Sequence, residues 1–400
     1  MESRKIQSDR VAKDYLQSFQ KIAENIEDAH SIDDWYEIMD DLTDWSVKFD
    51  NLGDQGLGQL LDEQWKEANQ QFTKFIEAHY ENWLHSDNKP LMSPEIIPTH
   101  IQEKLQNDEK IVLIIIDCLR ADQLKAMTSL LAQIFHIDTK YYLSILPTAT
   151  PYSRNAIFSG YYPNELQNEY GELWQKMWQD EHSMNRFENQ FLRDQLNRLG
   201  LESKSIHYHK VITYEEGNKL ETRIGEFKEV DLLAIVINFV DILGHSRSES
   251  NILQEMVPDE SAYRKAVCSW LENAWLLNVL EEISNWGHTV FLTSDHGSTR
   301  VTKPVQIKGD RQTSTGIRFK YGQNIKMPEK SGITIPNPEK YFLPKHDLNT
   351  NYLIAKSGNF LIYPNEYHKF ANHYNNSFQH GGISLEEMVV PIAELKGKNG

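Results

Sequence analysis

The chain has 400 residues, 40% of them hydrophobic, with nine Trp, sixteen Phe and a formal net charge of −17. This composition excludes a disordered chain and leaves length for two or three domains with a large core. The negative charge argues against nonspecific binding to duplex DNA or to anionic membranes, although bound divalent ions would still admit a phosphate substrate.

Up to about residue 90 the apolar repeats are helical. Val11, Tyr15, Phe19, Ile22 and Ile26 recur three and four apart, as do Trp35, Ile38, Leu42, Trp45 and Phe49. Leu57, Leu61, Trp65, Ala68, Phe72, Ile76, Tyr80 and Trp83 repeat the pattern. Residues 1–90 therefore read as an antiparallel three-helix bundle. Ser31 with Asp34 reads as the N-cap of the second helix, and the Gly-rich residues 51–58 as the break before the third. The aromatic positions read as core, and the bundle offers no identifiable chemistry. Pro90, Pro94 and Pro98 mark a linker, taken as residues 91–107.

Residues 108–400 read as one α/β domain. IVLIIID at 111–117 is an unbroken apolar run ending in a carboxylate, as expected of a strand buried on both faces. Further strands are expected at 141–146, 231–240, 289–293 and 388–392, and helices at 154–159, 187–200 and 260–286. The alternation predicts a doubly wound sheet with helices on both faces. Residues 160–185 and 297–375, polar and punctuated by Gly and Pro, read as irregular insertions over the active face. Cys118 and Cys268 read as buried reduced thiols. MESRKIQSDR lacks the apolar core of a signal peptide, and no run reaches the ~18 residues of a membrane span. A cytoplasmic protein without membrane insertion is expected.

The chemistry gathers where strands end. Asp117 closes the first run. Asp241 and His245, four apart, follow the 231–240 run. Asp295 and His296 precede Gly297, and His380 precedes two glycines. Taken singly, Asp117 reads as readily as a helix cap, Asp295 and His296 are evenly balanced, and His380 is weak. Together with a hydroxyl from PTATPYSR at 147–154, they suffice for two Zn2+-type centres around a nucleophile at the carboxyl end of a sheet.

These motifs resemble the alkaline phosphatase superfamily, and within it the PglZ branch. DILGH at 241–245, DHG at 295–297 and QHGGISLEEMVVP at 379–391 carry the resemblance, which spans residues 108–395 in family order. It implies that Asp241, His245 and His380 hold one metal. Asp117, Asp295 and His296 would hold the second, with Thr150 as metal-bridging nucleophile. Thr148 is the alternative hydroxyl; the length of the stretch from Pro147 to Gly160, compared with the nucleotide phosphodiesterase branch, favours Thr150. The implied activity is a metal-dependent phosphodiesterase with two Zn2+ per chain, or Mn2+, acting on nucleotides or short or cyclic oligonucleotides. A phosphomonoesterase, or a dimerising regulatory module with structural metals, are the alternative readings.

A helical bundle followed by a PglZ-type domain also resembles PorX-like response regulators of type IX secretion. This implies two-component regulatory partners and a homodimer; no receiver domain is expected within the chain. Arg154 and Asn155 read as phosphate contacts or equally as helix surface. Between residues 300 and 330, eight basic residues face only Asp310 and Glu329. That segment reads as a solvated loop or as a flap, with Arg311, Arg318 and Lys320 on flanking phosphates and Phe319 or Tyr321 stacking on a base.

Overall fold

A computed structural model describes residues 2–50, 55–179, 184–309, 316–365 and 367–398. Helices α1 (Glu2–Asp28), α2 (Ile32–Asp50) and α3 (Gln55–Leu84) form the all-α part. The helical phase turns Tyr15, Ile22 and Ile26, then Trp35, Ile38 and Leu42, then Ala68, Phe72 and Ile76 into one core. The cap of α2 is reciprocal. Asp34 N donates to Ser31 Oγ at 3.3 Å, and Ser31 N donates to Asp34 Oδ2 at 2.9 Å.

The expected linker is folded instead. Helical turns at Ile96–His100 and Gln102–Gln106 bury Ile96, Ile97, Ile101 and Leu105 under the sheet. Pro94 misleads because it sits in the first turn of a 3-10 helix, Ser93–Glu95, where a missing N–H breaks no bond.

The main sheet has β1 (Ile111–Ile116), β2 (Phe135–Leu143), β3 (Ile206–Val211), β4 (Leu232–Ile237), β5 (Thr289–Thr293) and the C-terminal strand Val389–Gly397. Their order is β2, C-terminal strand, β5, β1, β4, β3. β3, β4, β1 and β5 run parallel, while the C-terminal strand is antiparallel to β5 and β2. The period of two in β1 splits its side chains: Val112, Ile114 and Ile116 enter one core, Ile111, Leu113 and Ile115 the other. That explains why the run is apolar throughout, each side chain contributing at most about 1.5–3 kcal/mol of burial. Register pairs Ile116 with Ile237 and Ile115 with Thr293, so the strand ends that carry chemistry lie level.

Three expectations need correcting. The helix foreseen over 260–286 is two, Glu260–Asn273 and Trp275–Ser284, because Ala274 is extended (ψ 168°). β3 was not foreseen, and β2 begins at Phe135 rather than near residue 141. The 297–375 insertion is ordered: Phe319–Gln323, Thr350–Ala355 and Gly332–Ile335 form an antiparallel sheet, and Lys303–Gln306 pairs with Asn359–Ile362. Both cysteines are free, Cys118 buried and Cys268 only half-buried. No helix among the described residues is long and apolar enough to cross a membrane.

The bundle shares its core with the α/β part. Leu143, Ile145, Leu146, Ala149 and Leu385 pack in the same cluster as the bundle's aromatic residues. Leu146 N donates to Tyr80 Oη at 2.8 Å, and Leu385 N to Asn69 Oδ1 at 2.8 Å. A ladder of buried charges crosses the joint. Arg264 bonds Asp50 of α2 at 2.6 and 2.7 Å and Asp122 at 2.8 Å, while Asp122 accepts two bonds from Arg120 at 2.9 Å. Arg120 lies three residues after Asp117.

Candidate metal centre

Two groups of acids and imidazoles meet at the level strand ends: Asp241, His245 and His380, and Asp117, Asp295 and His296. These are the six acids and imidazoles singled out in the sequence, and the structure brings them together in these two groups. Asp117 follows β1, Asp241 lies in the first turn of the helix Phe239–Glu249 after β4, and Asp295 and His296 follow β5. His380 arrives on the loop before the C-terminal strand.

In the first group, Asp241 Oδ1 lies 3.3 Å from His245 Nε2 and 3.4 Å from His380 Nε2, and the two nitrogens are 3.2 Å apart. Asp241 Oδ1 is buried and makes no hydrogen bond. Three donor atoms about 3.3 Å apart match what a tetrahedral ion with ligands at ~2.0–2.1 Å requires. His380 Nδ1 faces the Thr148 carbonyl at 3.3 Å, which keeps its Nε2 lone pair on the group. Burial opposes ionisation of Asp241, but the two imidazoles hold its carboxyl well below the usual range, and Asp241 in turn raises His245.

In the second group each carboxylate is divided. Asp295 Oδ1 accepts from Cys118 N at 3.3 Å and His296 N at 3.1 Å, while Oδ2 is buried without a hydrogen-bond partner. Asp117 Oδ2 accepts from Arg154 at 2.6 Å, and its Oδ1 lies 3.7 Å from His296 Nε2. His296 Nδ1 faces the Gly297 carbonyl at 3.0 Å, leaving Nε2 to the group. Burial, and then the adjacent Asp117, push the Asp295 carboxyl up to about 8. Burial, and then His380, hold His296 well below its ordinary value. An orphaned acceptor in each group and a carboxyl on Asp295 pushed up by burial and by Asp117 are what a site built around absent cations would show. The donor set fits a divalent ion in both places. The rings of His296 and His380 stack at 4.3 Å, so the two groups adjoin.

The hydroxyl at the second group is that of Thr150, which opens the helix Thr150–Ser159. Its Oγ1 is 3.2 Å from Asp117 Oδ1 and 3.0 Å from His296 Nε2. Thr148 faces elsewhere: buried, it donates to the Gly382 carbonyl at 2.8 Å and accepts from Gly381 N at 3.1 Å, bracing the His380 loop. Glycine is required nearby. A Cβ at Gly297 would meet the Glu386 carbonyl at 1.8 Å, and Gly381 has φ 113°.

The expected substrate contacts are placed differently. Arg154 is buried, held by Asp117 and, at 2.6 Å, by Glu188. Asn155 spends its amide on the Pro151 and Met184 carbonyls at 2.9 and 3.0 Å. Arg318 is no flap residue: it is wholly buried and doubly bonded to Glu387 at 3.0 and 2.5 Å. Lys320 is buried, with Nζ 5.2 Å from the Tyr363 ring. Phe319 packs on Tyr152, and Tyr321 stacks on His346 at 4.3 Å. Arg311 lies outside the described residues. Two supporting residues had no signal in the sequence: Glu188, and Asn185, whose amide donates to the Thr150 carbonyl at 3.1 Å.

A doubly wound sheet with flanking helices and two such groups at its strand ends is an alkaline-phosphatase-like architecture. Residues 96–395 match the BREX system PglZ alkaline phosphatase-like domain, and the chain belongs to the PglZ family. Residues 5–84 match the PorX response regulator linker domain. No curated protein matches the chain. Among solved structures, murine ectonucleotide pyrophosphatase/phosphodiesterase 5 is similar at 13% identity and TM-score 0.45, over 72% of this chain and 88% of that one. A phosphonoacetate hydrolase from Sinorhizobium meliloti is similar at 11% identity and TM-score 0.42, over 72% and 90%.

Proposed function

We propose that this protein is a two-zinc phosphodiesterase that cleaves nucleotides or short or cyclic oligonucleotides through Thr150. The observation that carries this reading is the Thr150 hydroxyl, 3.2 Å from Asp117 and 3.0 Å from His296 of the second group, with an unused carboxylate oxygen in each of the two adjoining groups. A module with purely structural metals would not need that hydroxyl. Asp241, His245 and His380 would hold one ion, and Asp117, Asp295, His296 and the Thr150 oxygen the other. Zinc suits this imidazole and carboxylate set, with Mn2+ the alternative. When bound, such ions supply Lewis acidity, which lowers the pKa of a coordinated hydroxyl and neutralises charge on a phosphoryl group.

The chain's own groups do the rest. Asp117 Oδ1 and His296 Nε2 fix the Thr150 oxygen, and Asp117 Oδ1, to which the hydroxyl donates and which has a second lone pair, is the acceptor within reach of its proton. The helix that Thr150 opens directs its positive end at the transferred phosphoryl oxygens. Attack forms a Thr150–phosphorus bond as the ester oxygen leaves, and water then releases the phosphothreonine. The linker-like bundle supports a place in a response-regulator pathway of the type IX secretion kind, with regulatory partners, a homodimer and a cytoplasmic location.

The test is metal content by elemental analysis, with turnover of bis-p-nitrophenyl phosphate against p-nitrophenyl phosphate before and after chelation. Two zinc per chain and chelator-sensitive preference for the diester are expected. Preference for the monoester would make it a phosphomonoesterase; diester turnover unaffected by metal removal would sink the reading.

A further inference from the structure

The second metal group contains a feature the first lacks. Arg154 Nη1 donates to Asp117 Oδ2 at 2.6 Å and lies 3.8 Å from Asp295 Oδ2. One guanidinium thus faces both carboxylates of the group that has two. Its Nε donates to Glu188 Oε1 at 2.6 Å, and Glu188 also receives the Tyr208 hydroxyl and lies 3.7 Å from Lys210 Nζ. Arg154 and Glu188 are both buried. In the first group, the ion-pair partners of Asp241 among the described residues are the imidazoles of His245 and His380.

We propose that Arg154 is a positioning residue that serves as an internal counter-cation of the second group, an inference that rests on the metal reading above. It is the cation that faces both acids, bonded to Asp117 and 3.8 Å from Asp295, when no ion is bound. By occupying Asp117 Oδ2 it leaves Oδ1 to the ion and to Thr150. Its charge also opposes a divalent cation seated on the same two acids, and weakens the group's hold on that ion. A guanidinium cannot shed its proton in a protein, and a buried charge is little screened by salt, so the competition is permanent. Glu188, on the far side of the guanidinium, moderates it. Within this chain the second ion is therefore the exchangeable one, held less tightly than two carboxylates and an imidazole alone would hold it.

The experiment isolates the second group in a full-length Asp241→Ala background and titrates the metal-free protein with Zn2+ against a chromophoric chelator. Arg154→Met with Glu188→Gln removes both charges of the pair and frees Asp117 Oδ2, so that no guanidinium competes for the two acids, and should tighten Zn2+ binding about tenfold or more. Glu188→Gln alone leaves the arginine unmoderated and should weaken binding several-fold. These opposite signs separate charge competition from scaffolding. A scaffold role predicts weaker binding in both variants, and equal affinity in all three proteins would equally overturn the proposal. Should that double variant not fold, Arg154→Gln with Glu188→Gln, which keeps hydrogen-bonding amides in place of both charges, carries the same test: tighter binding supports the proposal, and unchanged or weaker binding overturns it. Failure of the parent chain to bind Zn2+ at all would instead refute the metal reading.

Discussion

Replacing Thr150 by Val removes one oxygen and almost no volume, and Thr148→Val does the same two residues earlier, yet the structure predicts opposite consequences. The Thr150 hydroxyl is half-buried and, among the described residues, bonds only to Asp117 and His296. Its loss should leave the fold and both metals in place while removing the attacking atom, lowering kcat/KM on a phosphodiester by on the order of 10⁴-fold or more. The Thr148 hydroxyl is fully buried, donating to the Gly382 carbonyl and receiving Gly381 N. Valine there strands two buried backbone groups at about 1–3 kcal/mol each, and loosens the loop that carries His380. Thr148→Val should therefore melt earlier and lose zinc from the first group, with activity recovering in part as zinc is added. The assay is a paired measurement of diester turnover, zinc content and thermal unfolding. If Thr150→Val keeps more than a tenth of the activity, or if Thr148→Val loses all activity with stability and metal content intact, the assignment of the nucleophile is wrong.

The metal-free protein should lose stability as pH rises from about 4 towards 8. The Asp295 carboxyl is raised to about 8 in the fold against ~3.9 unfolded, so the native state holds the extra proton in that window. The slope from this group is at most about 1.4 kcal/mol per pH unit; it should vanish in Asp295→Asn and on zinc loading, as differential scanning calorimetry can show. Arg318→Met should destabilise by about 3–5 kcal/mol, because Glu387 is left buried and unpaired. The denaturation midpoint should fall while KM for a dinucleotide stays put; the reverse pattern would restore Arg318 to a substrate role. Removal of residues 1–86 should give an aggregating product, since the joint buries Leu143, Leu146 and Leu385 against the bundle. A monodisperse, fully active fragment starting near Met92 would contradict this.

What the sequence disclosed is what local pattern can encode. The run Ile111–Ile116 is apolar because both faces of β1 are covered, and the acids and imidazoles stand out because each follows such a run or a glycine-rich turn. β3 was hidden because an edge strand of half-buried His, Tyr and Lys has neither an apolar run nor a clean alternation. Arg318 and Arg154 were misjudged for a different reason. Neither the basic excess around Arg318 nor the place of Arg154 beside Thr150 says anything about partners elsewhere in the chain, and their carboxylates on Glu387 and Glu188 lie 69 and 34 residues away. The break at Ala274 had no marker at all, since alanine favours helix and only the packing of the two halves demands the turn.

The ladder from Asp50 through Arg264 and Asp122 to Arg120 bears on how the bundle could ever act on the catalytic loop. Each rung is a desolvated ion, so undoing one leaves its neighbour stranded at a cost of several kcal/mol. Partial release is therefore the least favourable state available. The joint has the character of a latch, either closed along its length or open along its length, and it cannot serve as a hinge about which the bundle drifts. Any influence arriving through α2 would reach the turn after Asp117 as a discrete step in population between two packings, not as a graded displacement.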